Sequence, residues 1–136
     1  MTLNPYLTFK GQCKEAFELY AQVLSGEIVM MMPHRGTPAA EHVGEEGLDW
    51  ILHARLEFNG QTLMGSDGPP EYYREPQGFY VSIQVDTPEQ AERIFAALSE
   101  GGSIFMPLQE TFWAVRFAMF TDRFGTPWMI NCENAG

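Results

Sequence analysis

Five positions of one helical stretch recur 75 residues further along: Ala16, Leu19, Tyr20, Val23 and Gly26 are matched by Ala91, Ile94, Phe95, Leu98 and Gly101. One constant offset through an amphipathic stripe and the glycine that ends it marks an internal duplication, so both copies must adopt the same local fold. Around each stripe the pattern reads strand, helix, strand, strand, strand. The chain has 136 residues, and neither half has the area to close a core alone. The expectation is therefore α+β: duplicated βαβββ modules with curved mixed sheets around a cavity. They form a single domain over residues 1–136, with modules at about 1–67 and 78–136.

Local patterns support each element. Residues 5–9 alternate Leu7 and Phe9 with Tyr6 and Thr8, as a strand does, whereas residues 12–24 carry Cys13, Ala16, Phe17, Tyr20 and Val23 at helical spacing. Residues 28–32 form a short apolar run closed by Pro33. Residues 34–49 scatter Gly36, Pro38, Gly44 and Gly47 among Glu41, Glu45, Glu46 and Asp49, and predict a long acidic loop: a lid, a partner-facing segment or a disordered stretch. Strands at 50–58 and 61–65 flank the turn dipeptide Asn59-Gly60, and the Pro- and Gly-rich stretch 66–78 reads as a linker. In the second half, a strand at 79–85 precedes a helix opened by Thr87, Pro88 and Gln90 in a capping pattern. After a strand at 104–108, residues 109–132 read as an aromatic hairpin turning at Asp122-Arg123-Phe124-Gly125, with Glu110 and Thr111 at its start.

Eighteen acidic against eight basic side chains leave a net charge of −10, which repels phosphate backbones and anionic membrane surfaces. Nucleic acid and membrane are not expected partners. No apolar run approaches the roughly 18 residues of a membrane span. The start MTLNPYLTF lacks the pattern of a secretory signal. A cytoplasmic protein is expected, with Cys13 and Cys132 as reduced thiols.

An opening YLTFKGQC followed by Ala and Tyr at helical spacing, LHARLEFNGQTLMGSD in the middle and ETFW with TDRFGTPWMIN near the end resemble the PhnB-like branch of the vicinal oxygen chelate superfamily. That superfamily includes glyoxalase I, extradiol dioxygenases, fosfomycin-resistance and bleomycin-binding proteins. The resemblance covers nearly the whole chain except the acidic loop. It implies a small-molecule ligand and a homodimer, and is silent on the reaction. Some members carry a demethylubiquinone methyltransferase label. No Gly-rich loop follows a strand in a parallel βαβ setting here, so SAM-dependent methyl transfer is not expected.

The superfamily's divalent metal is held at four positions that align with Pro5, His53, Tyr80 and Met129. Only His53 is a good ligand, since proline has no side-chain donor and a thioether suits neither Mg nor Mn. The expected metal set is none, and no cofactor is indicated, although a weakly bound divalent metal stays open.

What remains is a set of polar candidates. Alternation puts His53 on one strand face with Arg55 and Glu57, as a catalytic imidazole or a hydrogen-bonded wall residue. Aligning Phe58 with Phe120 sets Val115 opposite His53, so no second imidazole stands at the related position. Glu110, if pressed against the Trp113 indole, is a general-base candidate; otherwise it pins the loop. Trp113, Arg116, Tyr80 and Asp67 are the ligand-binding candidates. Arg116 is read as an anion partner or a surface ion pair, and Asp67 sits in the turn-like Gly65-Ser66-Asp67-Gly68. Two functions fit: an enzyme on a small polar or anionic metabolite using His53 and Glu110, or a non-catalytic protein that sequesters a small molecule.

Overall fold

A computed structural model describes residues 1–135, which divide into two compact units, Met1–Arg74 and the residues from Glu75 onward. The first contains β1 (Tyr6–Phe9), α1 (Cys13–Leu24), β2 (Glu27–Pro33), β3 (Ile51–Phe58) and β4 (Gln61–Asp67). The second contains β5 (Val81–Val85), α2 (Pro88–Ser99), β6 (Ser103–Gln109), β7 (Arg116–Thr121) and β8 (Pro127–Cys132). Each unit is a four-stranded mixed sheet with one helix, in the order β1-β4-β3-β2 and β5-β8-β7-β6. Both helices have 12 residues and begin at 13 and 88, so the offset of 75 holds through their whole length. The α+β class and the duplicated βαβββ modules are as expected.

Each helix covers one face of its own sheet. Cys13, Ala16, Phe17, Tyr20 and Val23 are buried on α1, and Phe9, Phe17 and Tyr20 meet at ring separations of 5.9 to 6.5 Å. Burying one such ring contributes about 1.5–3 kcal/mol. On α2 the buried stripe is Ala91, Ile94 and Leu98, and Phe95 meets Phe120 edge-on at 5.4 Å.

The turns follow from local chemistry. Asn59 and Gly60 both take positive φ (48° and 74°), which a two-residue hairpin turn between right-twisted strands requires. In the β7–β8 turn the Asp122 carboxylate accepts from the Phe124 and Thr126 amides at 2.9 and 3.0 Å and from the Trp128 indole at 2.8 Å. Trp128 is thereby core rather than cavity wall, only 1% exposed. At α2 the Thr87 hydroxyl accepts from the Gln90 amide, and the Gln90 side chain reaches back to the Asp86 amide, both at 3.2 Å.

Three boundaries differ from the sequence reading. The acidic stretch holds two short 3₁₀ turns, Pro38–His42 and Glu45–Gly47. It is tied down by a bond between buried His34 Nδ1 and the Trp50 carbonyl at 2.9 Å and by Arg35–Asp49 at 3.0 Å. These ties join residues 14 to 16 apart and have no period, so no pattern in the sequence announces them. Strand β4 runs on to Asp67 because it pairs in parallel with β1 as far as Phe9. Strand β7 begins only at Arg116, leaving 110–115 as a loop pinned by Thr111.

Register sets what each sheet presents away from its helix. In the first unit Met30, Arg55, Met64 and Tyr6 form one row, with His53 beside Met32. In the second, Gln84, Asn131, Phe117 and Gln109 form one row and Ser82, Met129, Met119 and Met106 the next.

Candidate functional site

His53 is half-buried on β3, in the alternating set with Arg55 and Glu57 that the sequence implied. Its partner comes from β1. Tyr6 places its hydroxyl 3.1 Å from His53 Nδ1, and the two rings stack at 5.7 Å with 25° between their planes. The pair is separated by 47 residues, and strand β4 lies between β1 and β3 in the sheet order. Either the phenol donates to a neutral imidazole nitrogen, or the ring N–H donates to the phenol oxygen. Both arrangements orient the ring and leave Nε2 free to exchange a proton with a bound group. Met32 pairs with His53 and Met64 with Tyr6, giving the couple adaptable apolar flanks. Arg55 is drawn to Glu57 at 3.2 Å, so its charge is partly offset.

Sequence reasoning misses Tyr6, since the family alignment sets a metal position at Pro5, one residue earlier. The available signal was strand alternation, which points Tyr6 away from the buried Leu7 and Phe9.

The other candidates resolve differently. His53 lies on β3 of the first unit and Glu110 in the loop after β6 of the second. Glu110 is exposed, so the burial that would suit it to act as a base is not present in the single chain. Thr111 Oγ1 accepts from the Ala114 amide at 3.1 Å and pins the loop that follows. Trp113 is 45% exposed and meets Phe112 and Phe117 edge-on at 4.8 and 5.1 Å, and Phe112 is 97% exposed. Phe112 and Trp113 are thus accessible rings, while Phe117, 7% exposed, belongs to the core. Tyr80 is exposed just ahead of β5.

Two ligand-binding candidates are corrected. Asp67 is buried, and its carboxylate accepts from the Gly11, Cys13 and Ile51 amides at 2.8, 2.9 and 2.8 Å. Both oxygens are committed to backbone, so Asp67 is an internal tie that caps α1. Arg116 reaches Glu92 on α2 at 3.3 Å and the Val115 carbonyl at 2.7 Å, and is a surface ion pair rather than a free anion partner.

The metal positions do not fit a divalent ion. Pro5 offers no donor, Met129 offers a thioether, Tyr80 is an exposed phenol, and His53 has one ring nitrogen engaged with Tyr6. Among the described residues no three His, Cys, Asp or Glu side chains gather as a metal set. Cys13 is no nucleophile candidate either, because burial, with the Asp67 charge beside it, pushes its thiol far above the ordinary range. Native protein at pH 8 is therefore expected to leave Cys13 unmodified by iodoacetamide while unfolded protein reacts, as peptide mass spectrometry would read. Rapid native labelling would contradict the burial.

No helix among the described residues is long and apolar enough to cross a membrane. The family model described as 3-demethylubiquinone-9 3-methyltransferase matches residues 1–131. Protein YjdN of Escherichia coli is 36% identical over 140 residues, covering 96% of this chain and 95% of its own. The crystal structure of Pseudomonas aeruginosa PA1353 is 47% identical, with a TM-score of 0.89 over 98% of both chains. The PhnB protein of Bacillus cereus has a TM-score of 0.82 at 24% identity, over 97% of this chain and 99% of its own, a likeness of fold. Glyoxalase and bleomycin-resistance folds are among the further structural neighbours.

Proposed function

The chain belongs to the 3-demethylubiquinone-9 3-methyltransferase family, a PhnB-like group with the glyoxalase fold, and from that premise we propose that it acts on a small polar metabolite through the Tyr6–His53 couple. The carrying observation is the 3.1 Å bond between Tyr6 and His53 Nδ1 on the face its helix leaves uncovered. An imidazole held by a phenol on a partly exposed face is equipped for proton transfer at Nε2. Arg55, half-exposed nearby on the same face, favours a substrate with partial negative charge.

Methyl transfer from a nucleotide-like donor is the less supported activity, despite the family's name. Such donors sit at open helix N-termini after Gly-rich turns. Here the α1 N-terminus is occupied by Asp67, and the α2 N-terminus by Thr87 and Gln90.

A second reading, sequestration without turnover, is supported by the exposed Phe112 and Trp113 rings, which rest on buried Phe117. A homodimer belongs to both readings. Ile104 and Phe105 on the outer strand β6, and Val29, Met30 and Met32 on β2, are exposed apolar side chains of the kind that association covers. Cytoplasmic residence is proposed with them.

The test compares small-molecule extracts incubated with wild type, His53→Gln, Tyr6→Phe, Glu110→Gln and Trp113→Ala, read by mass spectrometry for turnover and retention. Wild type is expected to deplete a polar compound, and His53→Gln to slow this by roughly 10²–10⁴-fold with binding kept. Unchanged depletion in His53→Gln would defeat the reading. Retention lost only in Trp113→Ala, with no compound consumed by any form, would favour sequestration. Full activity in Glu110→Gln would leave the proton traffic to His53 and Tyr6.

A further inference from the structure

We propose that the second unit carries a binding row for a neutral, planar group with an N–H donor, centred on the Asn131 side-chain amide. Asn131 is 9% exposed, in a strand whose neighbours Trp128, Ile130 and Cys132 are buried. Its Nδ2 donates to Gln84 Oε1 at 2.9 Å, which fixes the plane of the amide. Its Oδ1 is buried with no hydrogen-bond partner among the described residues. A buried acceptor left unpaired is a cost that an apolar residue of similar shape avoids, so a ligand donor is the natural complement to this oxygen.

The surroundings define the ligand's chemistry. Register sets Gln84, Asn131, Phe117 and Gln109 side by side across four strands. The adjacent row is Ser82, Met129, Met119 and Met106. Neither row holds a charge. A carboxylate brought to this face finds no cation and meets the lone pairs of Oδ1, whereas a carboxamide or lactam N–H completes them. The Trp113 ring, 45% exposed and edge-on to buried Phe117 at 5.1 Å, supplies an apolar wall for a ring attached to that amide. The class is an aromatic or heteroaromatic amide. The inference rests on the second unit alone and does not use His53.

The probes are benzamide and benzoate, matched in shape and differing in charge and in the N–H donor. Both are titrated into the full-length protein while NMR follows the side-chain amides of Asn131 and Gln84. Benzamide is expected to move both resonances saturably and to bind at least about tenfold tighter than benzoate, as expected for one satisfied buried acceptor. His53→Gln binds benzamide unchanged, which separates this site from the Tyr6–His53 reading. Asn131→Leu loses about tenfold or more in benzamide affinity yet melts at or above the wild-type temperature, because the unpaired acceptor has gone. A structural asparagine would instead lower the melting temperature and leave affinity intact. If Asn131→Leu does not fold, Gln84→Leu, at an exposed position that tethers the amide, must weaken benzamide binding in the same titration, beside the modest loss of melting temperature that releasing the Asn131 Nδ2 donor brings. Equal response to the two probes, no saturable response to benzamide, or unaltered affinity in the variants overturns the proposal.

Discussion

Asp67→Ala is expected to destabilise the first unit by about 3–5 kcal/mol, among the largest effects of any single polar substitution here. Three backbone amides, those of Gly11, Cys13 and Ile51, share one carboxylate at 2.8 to 2.9 Å. Removing it leaves three donors near the buried start of α1 and the start of β3 without an acceptor. The negative charge also lies at a helix N-terminus, where the peptide dipoles favour it. No side chain of the helix's own N-cap, Gln12, takes over this role. A thermal melt followed by circular dichroism should fall by roughly 10–15 °C. Asp67→Asn, which keeps one acceptor, should recover part of the loss. Unchanged melting would return Asp67 to the ligand-binding candidates, because a carboxylate offered to a ligand contributes little to the stability of the free protein.

Gly102→Ala is expected to cost about 2–4 kcal/mol, for a steric reason. A methyl group at Gly102 would collide with the Thr121 carbonyl oxygen and stand 2.9 Å from the Asp122 backbone. These are main-chain atoms at the end of β7 and cannot rotate aside. Gly26, which stands one residue before β2 as Gly102 stands one residue before β6, is less crowded, with a methyl 3.0 Å from the Glu57 carbonyl. Gly26→Ala should therefore be destabilising by less, and Gly36→Ala, where a methyl meets nothing within 4 Å but φ is +80°, should show backbone strain alone. Denaturant unfolding of the three variants would rank them. Gly102→Ala matching the wild type would mean that β6 need not approach β7 so closely.

Both predictions concern features that a linear reading caught only in outline. Gly101 and Gly102 mark the end of a helix in any sequence reading. That Gly102 lets β6 lie against the β7 backbone depends on strand pairing, which brings Ser103 opposite Thr121. Asp67 sits among small residues that suggest a turn, yet its three donors come from positions 16 to 56 residues away. The family, by contrast, was legible, because its motifs are local runs around turns and helix starts and survive in order.

Period and chirality act over a few residues. The helix stripe offset by 75, the Asn59-Gly60 turn and the capping residues around Thr87 therefore led directly to two βαβββ modules. The roles of the polar side chains were settled only by folding. Arg116 and Glu92, Asp67 and Gly11, and Tyr6 and His53 lie 24, 56 and 47 residues apart, and a charge or hydroxyl carries no sign of its partner until the packing of strands, helix and loop brings the two within about 3 Å. The same register left Asn131 with one amide end bonded to Gln84 and the other bare. Hydrophobic pattern is a property of neighbours along the chain, whereas side-chain hydrogen-bond pairing belongs to neighbours in space, and in this protein the candidate chemistry is of the second kind.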